Sequence, residues 1–303
     1  MRKLPRSVPL LLAVLALVAG ACSSSSKSNT GSAPTGTTPA SSALFSKLPS
    51  AIQSSKKINV GSDIEYAPIE FYKVGTTKVE GVDYDLALAM GKKLGVTFHF
   101  IDDTDFAGII GALNAGRFDI IMSAMNDTAK RRGHGVDFID YFTAGTSILV
   151  QKGNPKGIKT LDDLCGNTVA VQKGTVQDTD VLTPQLPKCQ TAGKPLNLLR
   201  FEKDTDALEQ VKNGRAVANL EDFPVAAYNA QTSGGGKDFQ AVDVPGIAPG
   251  DYGIAVPSKN TQLRDALQAA LKAVIADGTY DQILTKWNVT AGALKTATIN
   301  GGS

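Results

Sequence analysis

Two stretches of the chain deliver polar side chains straight from the end of an apolar strand. Residues 112–119 read ALNAGRFD and run into Ile120, Ile121 and Met122, after which come Ser123, Asn126 and Thr128. Residues 210–217 read QVKNGRAV and run into Ala218, Asn219 and Leu220, after which come Glu221 and Asp222. Each copy reads as a helix end, a Gly-Arg turn and a strand. Ligands of open parallel sheets sit in the crevice beyond the carboxyl ends of the strands, so hydroxyl, amide and carboxylate groups at both places suit a non-covalent grip on a small polar molecule. Covalent or metal chemistry has poorer material. His99 falls on the outward side of an alternating strand and His134 in a glycine-flanked loop, and neither has a nucleophile or metal-ligand partner at a usable spacing. Gly91-Lys92-Lys93 lacks the earlier glycine and the Ser/Thr of a phosphate loop.

The elements that must position these groups are legible as periodicity. Ile58, Asn59 and Val60 form a short strand, and Val96, Phe98 and Phe100 alternate with Thr97 and His99 as a second strand does. Between them Leu86, Met90 and Leu94 recur at fourfold spacing, one face of a helix. Strand, helix, strand implies a parallel α/β sheet. Leu263, Leu267, Ala270, Leu271 and Val274 mark a second amphipathic helix, stopped at Asp277-Gly278. Two similar turn-and-strand units in one chain suggest two similar lobes, each offering a strand-end loop to a shared cleft.

The amino terminus has a different character. Arg2, Lys3 and Arg6 precede an apolar run over 8–18 and the small residues Ala19, Gly20 and Ala21, the order of a signal peptide. The run is too short to span a bilayer, which takes roughly 20 apolar residues. Cys22 follows directly and resembles the lipid-modified cysteine of a bacterial lipobox, with Ala19 standing where leucine is commonest. Residues 23–42 are nearly all small and polar, a flexible tether. The expectation is a signal peptide over 1–21 and a lipid-anchored tether over 22–44. Of the remaining cysteines, Cys165 and Cys189, the default in an exported chain is a disulfide. A formal net charge of +2 without basic blocks carries no nucleic-acid signal.

Several segments in series now carry a family resemblance: GSDIEYAPIEF (61–71), GVDYDLALAMGKKL (81–94), ALNAGRFDIIMSAM (112–125), VDFIDYF (136–142), VAVQKGT (169–175) and ADGTYDQILTKW (276–287). From 58 to 287 the chain resembles the bacterial extracellular solute-binding proteins of the polar amino-acid group, family 3. The resemblance implies an α/β fold of two Rossmann-like lobes joined by two crossing hinge strands, the periplasmic-binding-protein-like type II arrangement. Crossings near 143–146 and 246–252 would give lobe I over 45–143 plus 252–295 and lobe II over 147–246, with 296–303 left as a disordered tail. It further implies an exported monomer on the outer face of the cell membrane that binds a polar amino acid and serves the permease and ATPase subunits of an ABC importer, with no cofactor and no metal.

The resemblance also assigns residues. An amino-acid carboxylate suits a planar guanidinium, and Arg131 stands five residues after Asn126, the family spacing of that clamp. Counted back from Val136, Arg132 would take the role, because the intervening stretch is one residue longer than usual; the reading adopted is Arg131. Asp222 matches the ammonium-binding aspartate, and as a plain helix N-cap ahead of Pro224 it has a second, compatible role. Tyr66 and Phe106 match the aromatic walls. Ser123, Asn126 and Thr175 match suppliers of hydroxyl, amide and backbone contacts, with Gly174 freeing a tight turn and Ala124 lacking the hydroxyl some relatives carry. Asp63 matches the reader of the ligand's side chain, or else caps its own turn.

Two other classes share this fold. One is an enzyme of the cyclohexadienyl dehydratase kind, needing a single carboxylic acid as proton donor. The other is a sensory ligand-binding domain, which needs a membrane-spanning helix after it, whereas residues 296–303 are small and polar.

Overall fold

The computed structural model describes residues 43–242, 244 and 247–303 of the chain; the expected signal peptide, Cys22 and most of the tether lie outside the described residues. The first elements are α1 (Ser50–Ser55), β1 (Lys57–Ser62), a small antiparallel meander of β2 (Glu65–Tyr66), β3 (Glu70–Tyr72) and β4 (Val79–Glu80), then α2 (Val82–Leu94), β5 (Thr97–Asp102), α3 (Ile109–Asn114), β6 (Ile120–Ile121), the one-turn α4 (Ala129–Arg132) and β7 (Val136–Ala144). The next are β8 (Thr146–Gln151), β9 (Thr168–Gln172), α5 (Thr183–Thr191), β10 (Asn197–Phe201), α6 (Asp204–Lys212), β11 (Ala218–Asp222), α7 (Phe223–Thr232) and β12 (Phe239–Val242). The chain closes with β13 (Gly250–Pro257), α8 (Thr261–Ala276) and α9 (Thr279–Lys286).

Two five-stranded sheets result, ordered β5-β1-β6-β13-β7 and β10-β9-β11-β8-β12. In each, three parallel strands are followed by an antiparallel neighbour: β13 against β6 in the first, β8 against β11 in the second. The chain passes between the sheets twice, at Gly145 between β7 and β8 and again between β12 and β13. This is the two-lobed, type II α/β arrangement. The repeated motif occupies equivalent places: α3 and α6 each end in a turn through a glycine of positive φ, Gly116 and Gly214, and feed the central strands β6 and β11.

Both sheets are covered on both faces, as parallel strands require. On one face of the first sheet Ile58 and Val60 meet Leu86, Met90 and Leu94 of α2 and Leu263, Leu267 and Leu271 of α8, all fully buried. Each such side chain contributes about 1.5–3 kcal/mol of burial, so the fourfold spacing of α2 decides which face goes inward. The opposite face packs Ile109 and Leu113 of α3 against Ile121 and Phe138. In β8, Ile148 and Val150 enter one core and Leu149 the other, the period-2 alternation of a strand buried on both sides. Cys165 and Cys189 are joined in a disulfide that ties the loop before β9 to α5.

One expectation is overturned. Residues 296–303 are not a disordered tail but an ordered strap across the first lobe. Ile299 bridges Ile139, Thr298 Oγ1 donates to Asp140 Oδ2 at 2.7 Å, and Asn300 Oδ1 accepts from the Phe138 N–H at 2.8 Å. Small polar composition argued for disorder; main-chain groups bonding to buried aspartates supply the ordering contacts instead.

Candidate ligand-binding site

The carboxyl ends of β6 and β11 face each other across a narrow, nearly closed polar cleft. The structure brings all eight residues singled out from the sequence to its wall: Asp63, Tyr66, Phe106, Ser123, Asn126, Arg131, Thr175 and Asp222. It adds Glu70, Gln172 and Gln177, which sequence reasoning missed. Glu70 sits at the start of β3 inside the APIEF run, and Gln172 ends the alternating strand β9; a polar residue in an apolar strand was the available signal. A larger groove on the hinge side, between Phe142 and Tyr228, is mainly apolar. The opposed charges that would recognise a polar ligand are in the smaller cavity.

Arg131 belongs to α4, whose N-cap Thr128 accepts the Arg131 N–H at 3.2 Å. Its guanidinium donates to the Asn126 carbonyl at 2.9 Å and across the cleft to the Gly174 carbonyl at 3.1 Å. The same group lies 5.5 Å from the centroid of the Phe106 ring, within cation–π range. Loss of water lowers its pKa to about 10, so it stays charged at neutral pH. Arg132 points elsewhere and pairs with buried Asp127.

Asp222 ends β11 and occupies the N-cap position of α7, yet its side chain makes no cap bond. Its carboxylate accepts instead from the Tyr66 hydroxyl at 3.1 Å and from Gln177 Nε2 at 3.0 Å. Burial raises its pKa to about 6, against the lowering influence of the Tyr252, Tyr66 and Gln177 groups beside it. Asp63 accepts from Gln172 Nε2 at 2.5 Å, again across the cleft. Burial first, then the charge of Glu65, raises its pKa to about 8.

Ser123 spends its hydroxyl within the wall, accepting from the Asp63 N–H at 2.9 Å and donating to Glu70 Oε1 at 3.0 Å. Behind it Asp83 accepts the Ala124 N–H at 3.3 Å. Glu70 and Asp83 are both buried, and burial, with the Asp83 charge next in weight, pushes the Glu70 pKa well up. Ala124 sits at φ 42, a left-handed conformation that costs a residue with a Cβ about 1–2 kcal/mol and is tolerated where the surroundings over-determine it. Thr175 also has a committed hydroxyl, which donates to the Gln172 carbonyl at 2.8 Å and accepts the Asp178 N–H at 3.2 Å. What that turn can offer a ligand is main chain. Gly174 adopts φ 80, and a Cβ there would lie 2.7 Å from the Cα of Ala107 on the opposite lobe.

Several buried polar atoms of the wall have no hydrogen-bond partner among the described residues: Asp63 Oδ1, Glu70 Oε2 and Asn126 Nδ2. Such atoms are costly unless something else satisfies them. Among the described residues, no group of three or more His, Cys, Asp or Glu side chains is placed to hold a metal ion.

Two opposed α/β lobes with a polar, charge-lined cleft define a protein that binds a small solute. Residues 58–290 match the model of the bacterial extracellular solute-binding proteins, family 3, and the chain belongs to that family. It is 33% identical over 254 residues to the arginine-binding protein ArgT of Corynebacterium glutamicum, covering 84% of this chain and 81% of that protein. Among solved structures it is similar to an ancestral arginine-binding protein bound to arginine, at a TM-score of 0.68 and 34% identity over 77% of this chain and 98% of that one. It is also similar to the ancestral amino-acid-binding protein AncCDT-1, a precursor of cyclohexadienyl dehydratase, at 0.69 and 36% over 78% and 97%. This protein is accordingly an exported solute-binding protein.

Proposed function

We propose that this protein captures an extracellular amino acid whose side chain carries a positive charge, arginine first, and delivers it to the permease and ATPase subunits of an ABC importer. The observation that carries this is the charge balance of the cavity wall, which sets one cation, Arg131, against the carboxyl groups of Asp63, Glu70 and Asp222. Arg131 and Asn126 Nδ2 would take the ligand's carboxylate. Asp222, with Tyr66 beside it, would take the ammonium. The unpartnered oxygens of Asp63 and Glu70 would take the cationic side chain, between the rings of Tyr66 and Phe106. A ligand with one net positive charge lowers the repulsion among these acids; a neutral one such as glutamine does not, and an acidic one raises it. The name of the Corynebacterium relative supports the same ligand. We read lobe I as 45–143 plus 252–295 and lobe II as 147–246, with the chain acting as a monomer held on the outer membrane face by a lipid on Cys22.

The test is a thermal-shift screen of protein stripped of co-purified ligand, run against the standard amino acids, ornithine and cystine. At a hundredfold excess over Kd a ligand adds about 2.7 kcal/mol of stability. Arginine, then lysine and ornithine, should raise Tm most. A rise confined to acidic or apolar amino acids would sink the cationic reading.

A further inference from the structure

Helix α4 is a single turn with no buried residue, and a helix so short has no stability of its own. Beyond its Thr128 cap, it is supported by the strap 298–303. Asp127, buried just ahead of the helix, accepts the Gly302 N–H at 2.9 Å through Oδ2 and pairs with Arg132 through Oδ1. The Arg132 guanidinium also donates to the main-chain oxygens of Gly302 at 3.3 Å and Ser303 at 3.4 Å. The Ser303 oxygen accepts the N–H of Ala129, the first residue of α4, at 2.7 Å.

The strap has its own footing, away from the helix. Thr298 Oγ1 and the Gly301 N–H both donate to Asp140 Oδ2, at 2.7 and 2.9 Å, and Asn300 Nδ2 donates to Asp137 Oδ1 at 3.1 Å. Its approach to Asp127 is as close as glycine permits: a Cβ on Gly302 would stand 2.2 Å from the Asp127 main-chain oxygen and 2.7 Å from its Cβ. Strap and clamp therefore form one continuous set of contacts, from β7 through Asp127 and Arg132 to the turn that carries Arg131.

We propose that the strap 298–303 positions the Arg131 clamp, holding α4 in the register at which the guanidinium reaches both Asn126 and Gly174, and so sets how firmly the ligand's carboxylate is gripped. This rests on the reading of Arg131 as the carboxylate clamp. A site whose supporting residues are loosened loses affinity even when every contacting side chain is still present.

The test compares three forms of the chain: unaltered, lacking Gly302 and Ser303, and carrying Gly302→Val. Each is titrated calorimetrically with L-arginine and with argininamide, which lacks the carboxylate charge. Both altered chains should bind L-arginine about tenfold more weakly and argininamide within about twofold of the unaltered chain. Equal weakening of both ligands, or unchanged arginine affinity in the folded two-residue deletion, overturns the positioning role. An unaltered chain that binds neither ligand overturns the cationic amino-acid reading instead. In that case hydrogen exchange of the Arg132 amide, which donates to the Thr128 carbonyl within α4, measured without ligand, still decides the strap: protection lost on deletion supports it, and unchanged protection overturns it.

Discussion

At the scale of single residues the cavity is built from groups that are expensive to leave alone. Arg131 is held by carbonyls of both lobes and by the face of Phe106, with no carboxylate among the described residues bonded to it. A carboxylate brought by the ligand would pair a charge already partly withdrawn from water. Arg131→Ala is therefore expected to weaken amino-acid binding by about 2–5 kcal/mol in calorimetry, the usual cost of removing one partner of a desolvated pair. Normal binding by Arg131→Ala together with loss in Arg132→Ala would move the clamp to the neighbouring residue. Glu70 predicts selectivity more than affinity. Glu70→Gln should narrow the preference for arginine over glutamine, because it removes one of the carboxylates that a neutral side chain does not need; an unchanged ratio of the two affinities would count against its role.

Among elements, the loops at the carboxyl ends of the parallel strands do most to shape the cleft. Gly174, in the turn after β9, brings its main chain against Ala107 of the facing lobe, in a conformation that residues with a Cβ avoid. Gly174→Ala should therefore act chiefly on the closed form. Ligand affinity is expected to fall at least tenfold, about 1.4 kcal/mol, alongside only a modest fall in the melting temperature of the ligand-free protein. A variant that loses thermal stability while binding ligand as tightly as before would contradict this.

For the whole molecule the consequence is a closure sensitive to charge. Several bonds cross the cleft: Tyr66 to Asp222, Gln172 to Asp63, Arg131 to Gly174. Closing places Asp63 and Glu70 of the first lobe in one buried region with Asp222 of the second. Burial raises the pKa of Asp222 to about 6 and of Asp63 to about 8, each from 3.8. A carboxyl with a raised pKa stabilises the closed state while protonated, fully below its unperturbed value, and that contribution is lost as pH rises through the shifted one. The ligand-free closed form should thus be most populated near pH 4 and open progressively up to about pH 8, which small-angle scattering reads as a growing radius of gyration. A cationic ligand favours the ionised acids, so its binding should tighten over the same range and release protons in calorimetry. Affinity independent of pH from 5 to 8 would refute this.

The amino-acid sequence by itself carried the two-lobed α/β fold and, through the family resemblance, most of the residues that line the cavity. Core periodicity in α2, α8 and the strands follows from burial, which acts locally and leaves a period of 2 or 3.6 residues in the chain. The repeated Gly-Arg turns marked the two central strands whose ends face the cleft, and Asp222, Asn126 and Ser123 were legible because they follow those strands directly. Tertiary structure alone decided the rest. Counting cannot tell Arg131 from Arg132 across an extra residue; which of them lines the cavity is decided by Asp127 and the strap, which draw Arg132 away. Glu70 comes to the wall against Ser123 of its own lobe, and Gln172 and Gln177 enter from the second lobe, Gln172 against Asp63 and Gln177 against Asp222, pairings between residues distant in sequence. Residues 296–303 carry no apolar pattern, and their order comes from main-chain bonds to Asp127 and Asp140, distant in sequence. Main-chain hydrogen bonding is open to almost any residue, so composition leaves no record of it.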